Sequence, residues 1–181
     1  MKKLHIIAVI AVIFILQSCV STKIETNKDA GYNQKPKKLY MIITNAKDGK
    51  AFGQDLYNGL TLNFKTRNII CDGFVRDPLS LKTEQDIDND INTFNPDALL
   101  LVKMTKITIM NGAPGSAVYE LSLIEGKAKK VVWKGNLDVY GPFWNVSTVN
   151  SAIKTVINKM QEDQLINTNT QINTISNARA Y

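Results

Sequence analysis

Apolar residues fall along this chain in three rhythms, and each rhythm predicts a different kind of element. Residues 6–16 (IIAVIAVIFIL) form one unbroken apolar run. Residues 39–44 (LYMIIT) form a shorter run rich in β-branched side chains, which predicts a buried strand. Phe52, Leu56, Leu60 and Phe64 then recur every fourth position, the signature of one helix face. Gly53 and Gly59 fall within that helix and weaken it if exposed, by about 1 kcal/mol each relative to alanine. Residues 68–76 (NIICDGFVR) predict a second strand, ended by Asp77-Pro78. Thr83, three positions before Asp86, approximates a capping box for a helix with Ile87, Ile91 and Phe94 on its apolar stripe. Asn95-Pro96-Asp97 ends that helix, because a residue before proline avoids the helical region.

Residues 98–110 (ALLLVKMTKITIM) predict a long strand. Its apolar phase runs through Leu100, Val102 and Met104, then slips to Ile107 and Ile109, so a bulge is expected near Thr105-Lys106. A loop at 111–115 (NGAPG) leads to Ala117, Tyr119, Leu121 and Leu123 on one strand face. After the turn at 125–127, Val131, Trp133, Leu137 and Val139 face the core, with Lys130, Lys134, Asn136 and Asp138 opposite. This is a hairpin with one wet face. Asn145 is the expected N-cap of a last helix with Val149, Ile153, Val156, Ile157 and Met160 on its stripe, and Trp144 is placed to staple onto Val149. Residues 20–36 are polar and lack periodicity, which predicts a flexible tether of about 20–25 Å root-mean-square span. Residues 167–181 are Asn/Thr-rich and read as a mostly disordered tail.

The run at 6–16 is too short for a spanning helix, which needs about 20 residues. Behind Met1-Lys2-Lys3 it has the form of a signal-peptide h-region. It ends in Leu16-Gln17-Ser18-Cys19, which resembles the lipobox of bacterial lipoproteins. The resemblance implies cleavage before Cys19 and lipidation of its thiol and amino group with diacylglycerol and an acyl chain such as palmitate. Several chains hold a protein stably where one does not, at about 0.8 kcal/mol per buried CH₂. Val20 stands where enteric lipoproteins retained in the inner membrane carry Asp, which points to the outer membrane. No acidic run follows the cysteine, which points to the periplasmic face. The alternative readings of the segment are an uncleaved anchor and a cysteine placed there by chance.

The chain thus divides into a signal peptide (1–18), a lipidated tether (19–37), one α/β domain (38–166) and a polar tail (167–181). The element order is β-α-β-α-β-β-β-α. It predicts a mixed sheet of about five strands with three helices in two or three layers. This layout, with residues 38–43 (KLYMII) as first strand, 95–102 (NPDALLLV) entering a central strand, and 119–124 (YELSLI) followed by 130–135 (KVVWKG), resembles envelope lipoproteins built like the amino-terminal domain of TolB. The resemblance implies a non-enzymatic, partner-binding role and supplies no catalytic residues.

Charge and composition narrow the chemistry. Among 181 residues, 22 are Lys or Arg, 16 are Asp or Glu and one is His, for a net +6. His5 and two lysines leave with the signal peptide, so the processed chain carries +4 and no histidine. That removes Ser/His/Asp and Cys/His catalysis and every zinc site that needs imidazole. The modest charge and an envelope address argue against nucleic acid. With Cys19 lipidated, Cys71 has no partner for a disulfide and reads as a buried, inert thiol. Asp86, Asp88 and Asp90 spell half of a calcium loop, but Ile91 stands at the required glycine and Asp97 at the closing glutamate. No metal or cofactor is expected.

Asp72 and Asp77 are the one carboxylate pair to consider for hydrolysis. Phe143 and Trp144, two large aromatics in one loop, are the candidate partner contact. The leading expectation is a lipid-anchored accessory or scaffolding protein of an envelope complex serving transport, secretion or cell-wall synthesis. A small-ligand or glycan-binding lipoprotein is the second reading, and a carboxylate hydrolase the third.

Overall fold

The computed structural model describes residues 20–169 and 171–176. Its centre is the predicted apolar strand, β2 (Lys38–Thr44), with Leu39, Met41 and Ile43 facing one side and Tyr40 and Ile42 the other. β3 (Ile70–Arg76) and β4 (Ala98–Met110) pair parallel to it on either flank. β5 (Ala113–Glu125) and β6 (Val131–Tyr140) continue antiparallel from β4 as the predicted hairpin. The phase slip in β4 is a register shift between Met104 and Lys106, and the Thr105 hydroxyl there donates to the Val118 carbonyl.

The sheet has six strands, in the order β1-β6-β5-β4-β2-β3. The extra one, β1 (Ser21–Lys28), lies inside the segment expected to be a tether and pairs antiparallel with β6 along its whole length. Its inward positions are Thr22, Ile24, Thr26 and Lys28, so only one is apolar. Hydrogen bonds hold it instead. The Thr22 hydroxyl meets the hydroxyls of Ser151 and Thr155, and the Thr26 hydroxyl donates to Asp163. Regular structure therefore begins at Ser21 and not at residue 38.

Three helices cover the sheet. α1 (Lys50–Lys65) buries its Phe52, Leu56, Leu60 and Phe64 stripe as expected. Gly59 is no defect here, since a Cβ on it would lie 2.1 Å from Ile153 Cδ1 of the neighbouring α3 (Val146–Glu162). α1 and α3 share one face of the sheet. α2 (Glu84–Phe94), opened by the Thr83–Asp86 capping box, packs Ile87, Ile91 and Phe94 on the other face over β3, β2 and β4. The result is three-layered at the β3 end and two-layered at the β1 end.

The segment after α3 is a second departure from expectation. Residues 167–169 and 171–176 run back across α1 and α3, and Ile172 and Ile175 pack on the core. Asparagine side chains substitute for a strand partner. Asn63 donates to the Asn173 carbonyl and accepts from its N–H, and Asn150 does the same for Ile175. Residues 170 and 177–181 lie outside the described part.

Asp163, just past α3, ties the last helix to the edge of the sheet. Its carboxylate accepts from Trp133 Nε1 (2.7 Å), Thr26 Oγ1 (2.7 Å) and Lys159 Nζ (3.2 Å). Burial pushes this carboxyl up, but the bonds from Trp133, Thr26 and Lys159 outweigh it and hold the carboxyl below its usual range. A carboxyl lowered in the native state contributes stability above its unfolded pKa, and that contribution fades as pH falls through the native value. Asp163→Asn is therefore expected to lower the urea midpoint at neutral pH. The gap to the parent should close as pH drops below about 4. Parallel melts across that range check it.

Candidate functional site

Three regions of the described surface invite a functional reading. The first is the corner where β6 runs into α3. Gly141 N–H donates to the Gly115 carbonyl and Phe143 N–H to the Pro114 carbonyl, which pins the connecting loop to β5. The Thr148 hydroxyl donates to the Pro142 carbonyl, and the Asn145 side chain caps α3 by accepting from Ser147 N–H.

This pinning separates the two aromatics expected to act together. Phe143 turns inward and stacks on Phe52, with ring centroids 4.3 Å apart, so it belongs to the core and is no surface contact. Trp144 turns outward and remains 55% exposed. Beside Trp144, Met110, Asn111, Pro114, Tyr140 and Pro142 line a groove of about 340 Å³. Ile109, Met110 and Tyr140 are all more than two-fifths exposed, so four large apolar or aromatic side chains rim this end of the sheet. The pattern of expected core positions could have flagged Ile109 and Met110, which continue a buried strand beyond the helices that cover it.

The second region is the face of β1, β6 and β5 that α2 leaves open. Lys23, Glu25 and Asn27 of β1 and Lys134, Asn136 and Asp138 of β6 stand exposed on it. Half-buried Val118, Glu120, Ser122 and Ile124 of β5 lie alongside. Both signs of charge alternate, with ion pairs Lys23–Glu25 (2.6 Å) and Lys134–Glu120 (3.0 Å). The third region is a groove of about 450 Å³ between α2 and the β5–β6 turn. Ile91, Leu99 and Ile124 form its apolar floor, with Asp88, Asn92 and Lys129 around it.

The remaining sequence candidates are accounted for locally. Asp86 is spent on the capping box, and Asp90 pairs with Lys82. Asp77 accepts from Lys50 (2.5 Å) and from Leu79 N–H, and the Lys50 bond foremost holds its carboxyl low, the opposite of a general acid. Asp72 accepts from Gly73 N–H. Burial pushes the Cys71 thiol up to about 11, so almost none of it is thiolate at neutral pH. No three His, Cys, Asp or Glu side chains converge on a metal-sized site among the described residues. Cys19 lies outside the described residues.

No family model and no curated protein matches this sequence. Solved structures share its fold. PelC from Paraburkholderia phytofirmans, a dodecamer, superposes with a TM-score of 0.52 at 12% identity, covering 80% of this chain and 98% of that one. A point variant of the same protein, also a dodecamer, gives 0.51 at 12% identity over 75% and 96% of the two chains. TolB from Acinetobacter baumannii aligns at 11% identity over 77% of this chain and 32% of that chain, with a TM-score of only 0.33. The chain is thus an α/β domain of the PelC fold, a mixed six-stranded sheet with three helices.

Proposed function

We propose that this protein is a lipid-anchored accessory protein of the bacterial envelope, held by Cys19 in the outer membrane and facing the periplasm. Its work is to bind a protein partner, and no catalytic step is assigned to it. The observation that carries this reading is the open half of the sheet. Among the described residues, α2 roofs one half of this sheet face and no helix covers the three paired strands of the other half, which present a surface of mixed charge ending at the edge strand β1. The signal-like segment ahead of Cys19 supports the address. The dodecameric state of PelC adds that this fold is compatible with partners that are further copies of the same chain.

A second reading, capture of a small ligand or glycan, is favoured only by the groove between α2 and the β5–β6 turn, whose volume falls in the range of small-molecule sites. The two readings part in one experiment. The tagged full-length protein is cross-linked in cells, purified, and its adducts identified by mass spectrometry. One reproducible membrane-protein complex, or a ladder of its own copies, is the expected result. Recovery of the protein without any protein adduct would overturn the partner-binding reading.

A further inference from the structure

β1 does more than complete the sheet, because it fixes where the chain leaves the domain. Ser21 pairs with Tyr140, and the Val20 side chain lies 3.2 Å from the point where a Cβ on Gly141 would sit. Residue 20 is therefore seated against the β6–α3 corner. Consecutive Cα atoms are about 3.8 Å apart, so Cys19 can lie no further than that from Val20. Whatever holds Cys19 to a bilayer brings the bilayer to this corner. The same holds if the apolar run at 6–16 stays attached.

The exposed side chains at that corner are of the kind that a bilayer surface accepts. Trp144 and Tyr140 have amphipathic rings of the sort enriched at membrane interfaces. Met110 and Ile109, at the tip of the β4–β5 hairpin, add flexible and branched apolar groups. Met110, Tyr140 and Trp144 line a single groove, so they present one continuous surface. The adjoining groove carries Lys23 and Lys106 against Asp138, a net charge of only +1, so attraction to anionic headgroups is secondary to the apolar contact.

We infer that the rim formed by Ile109, Met110, Tyr140 and Trp144 seats in the interfacial layer of the membrane that holds residue 19, clamping the domain against the bilayer. The inference rests on the proposed membrane address. It replaces a domain swinging on a long tether with one in fixed orientation, whose open β1–β6–β5 face has a set direction relative to the membrane.

The chain has two tryptophans, which makes the test direct. Trp133 is buried and hydrogen-bonded to Asp163, and so acts as an internal reference. Trp144 is the reporter. The full-length protein is reconstituted in phosphatidylethanolamine–phosphatidylglycerol vesicles carrying a lipid spin-labelled near the headgroup. Emission is compared with that of Trp144→Phe, and the intact mass of the same sample reports acylation of Cys19.

The expected result is that the Trp144 share of the emission is blue-shifted, loses most of its intensity to the labelled lipid, is shielded from acrylamide, and changes little between low and high salt. Trp144 emission that acrylamide quenches freely and labelled lipid leaves untouched would overturn the inference. So would shielding in native membranes that is absent from pure lipid vesicles, because that places a protein partner on the rim. An acylated Cys19 with unquenched Trp144 overturns the seat but leaves the lipoprotein reading standing. A non-acylated chain with quenched Trp144 does the reverse.

Discussion

Gly73→Ala is expected to abolish stable folding, or to cost about 4 kcal/mol or more, placing it in the rare severe class of single substitutions. Gly73 lies in β3 opposite Met41 of the central strand, with φ at +138°. A Cβ there would lie 1.9 Å from the Met41 carbonyl oxygen and 2.7 Å from its carbon. Both are backbone atoms of a strand paired on both sides, so no side chain can swing away to make room. The Gly73 carbonyl also accepts from the Tyr57 hydroxyl (3.0 Å), which fixes this point of β3 to α1. Total stability of a domain this size is only about 5–15 kcal/mol, so the loss is a large part of the whole. Gly112→Ala is the matched control. Its φ is +80° but nothing lies within 4 Å of an added Cβ, and the expected cost is about 1–2 kcal/mol from backbone strain alone. Urea melts of both variants separate the two effects. Equal losses would mean that β3 does not approach β2 as closely as described.

Arg67→Met is the second large effect. Arg67 is 2% exposed and has no carboxylate among its hydrogen-bond partners. Nε and Nη2 donate to Gln161 Oε1 on α3, Nη1 to the Asn63 carbonyl on α1, and Nη2 also to the Asn169 carbonyl (3.2 Å) of the returning segment. One guanidinium thus joins two helices to the chain that crosses them. Burial lowers its pKa from the ordinary arginine value, and neutral oxygens satisfy its protons. Removing it strands several buried acceptors, for an expected loss of about 3 kcal/mol. Arg67→Lys should recover little, since an ammonium cannot reproduce the planar fork. The distinctive readout is limited proteolysis. Cleavage within 167–176 should become rapid in Arg67→Met while the sheet still gives its native circular dichroism. A variant as protease-resistant as the parent would show that the segment is held without Arg67.

Much of this architecture is legible in apolar spacing, and the parts that are not share one cause. The α1 stripe, the Thr83 capping box, the Asn145 cap and the slip in β4 are all visible because large apolar side chains or fixed cap offsets mark them. β1 and residues 167–169 and 171–176 escape because side-chain hydrogen bonds hold them together with only a few apolar contacts, from Ile24, Ile172 and Ile175. In β1 the inward Thr22 bonds to Ser151 and Thr155 of α3, and the inward Thr26 to Asp163 just past it. In the returning segment the bonds come from Asn63, Asn150 and Arg67 on the helices, and a polar stretch looks the same whether or not such partners exist elsewhere. Phe143 and Trp144 are adjacent in sequence and opposite in role, because the loop is pinned to β5 through Gly141 and Phe143 and turns there, with Asn145 N–H bonded back to the Pro142 carbonyl. Sequence adjacency marked both as contacts, whereas the backbone hydrogen bonds leave only Trp144 at the surface.

The orientation of the open sheet face is the claim on which the functional reading turns, and a photo-crosslinking residue can test it in the living cell. Asn136 sits in the middle of that face, paired between Glu25 and Glu120. Gln54 sits on the exposed side of α1, in the opposite layer. With the photoreactive residue at each position in turn in the full-length protein, illumination is predicted to give a discrete protein adduct from position 136 and none from position 54. A silent position 136, or equal adducts from both, would contradict a partner-binding role for the open face.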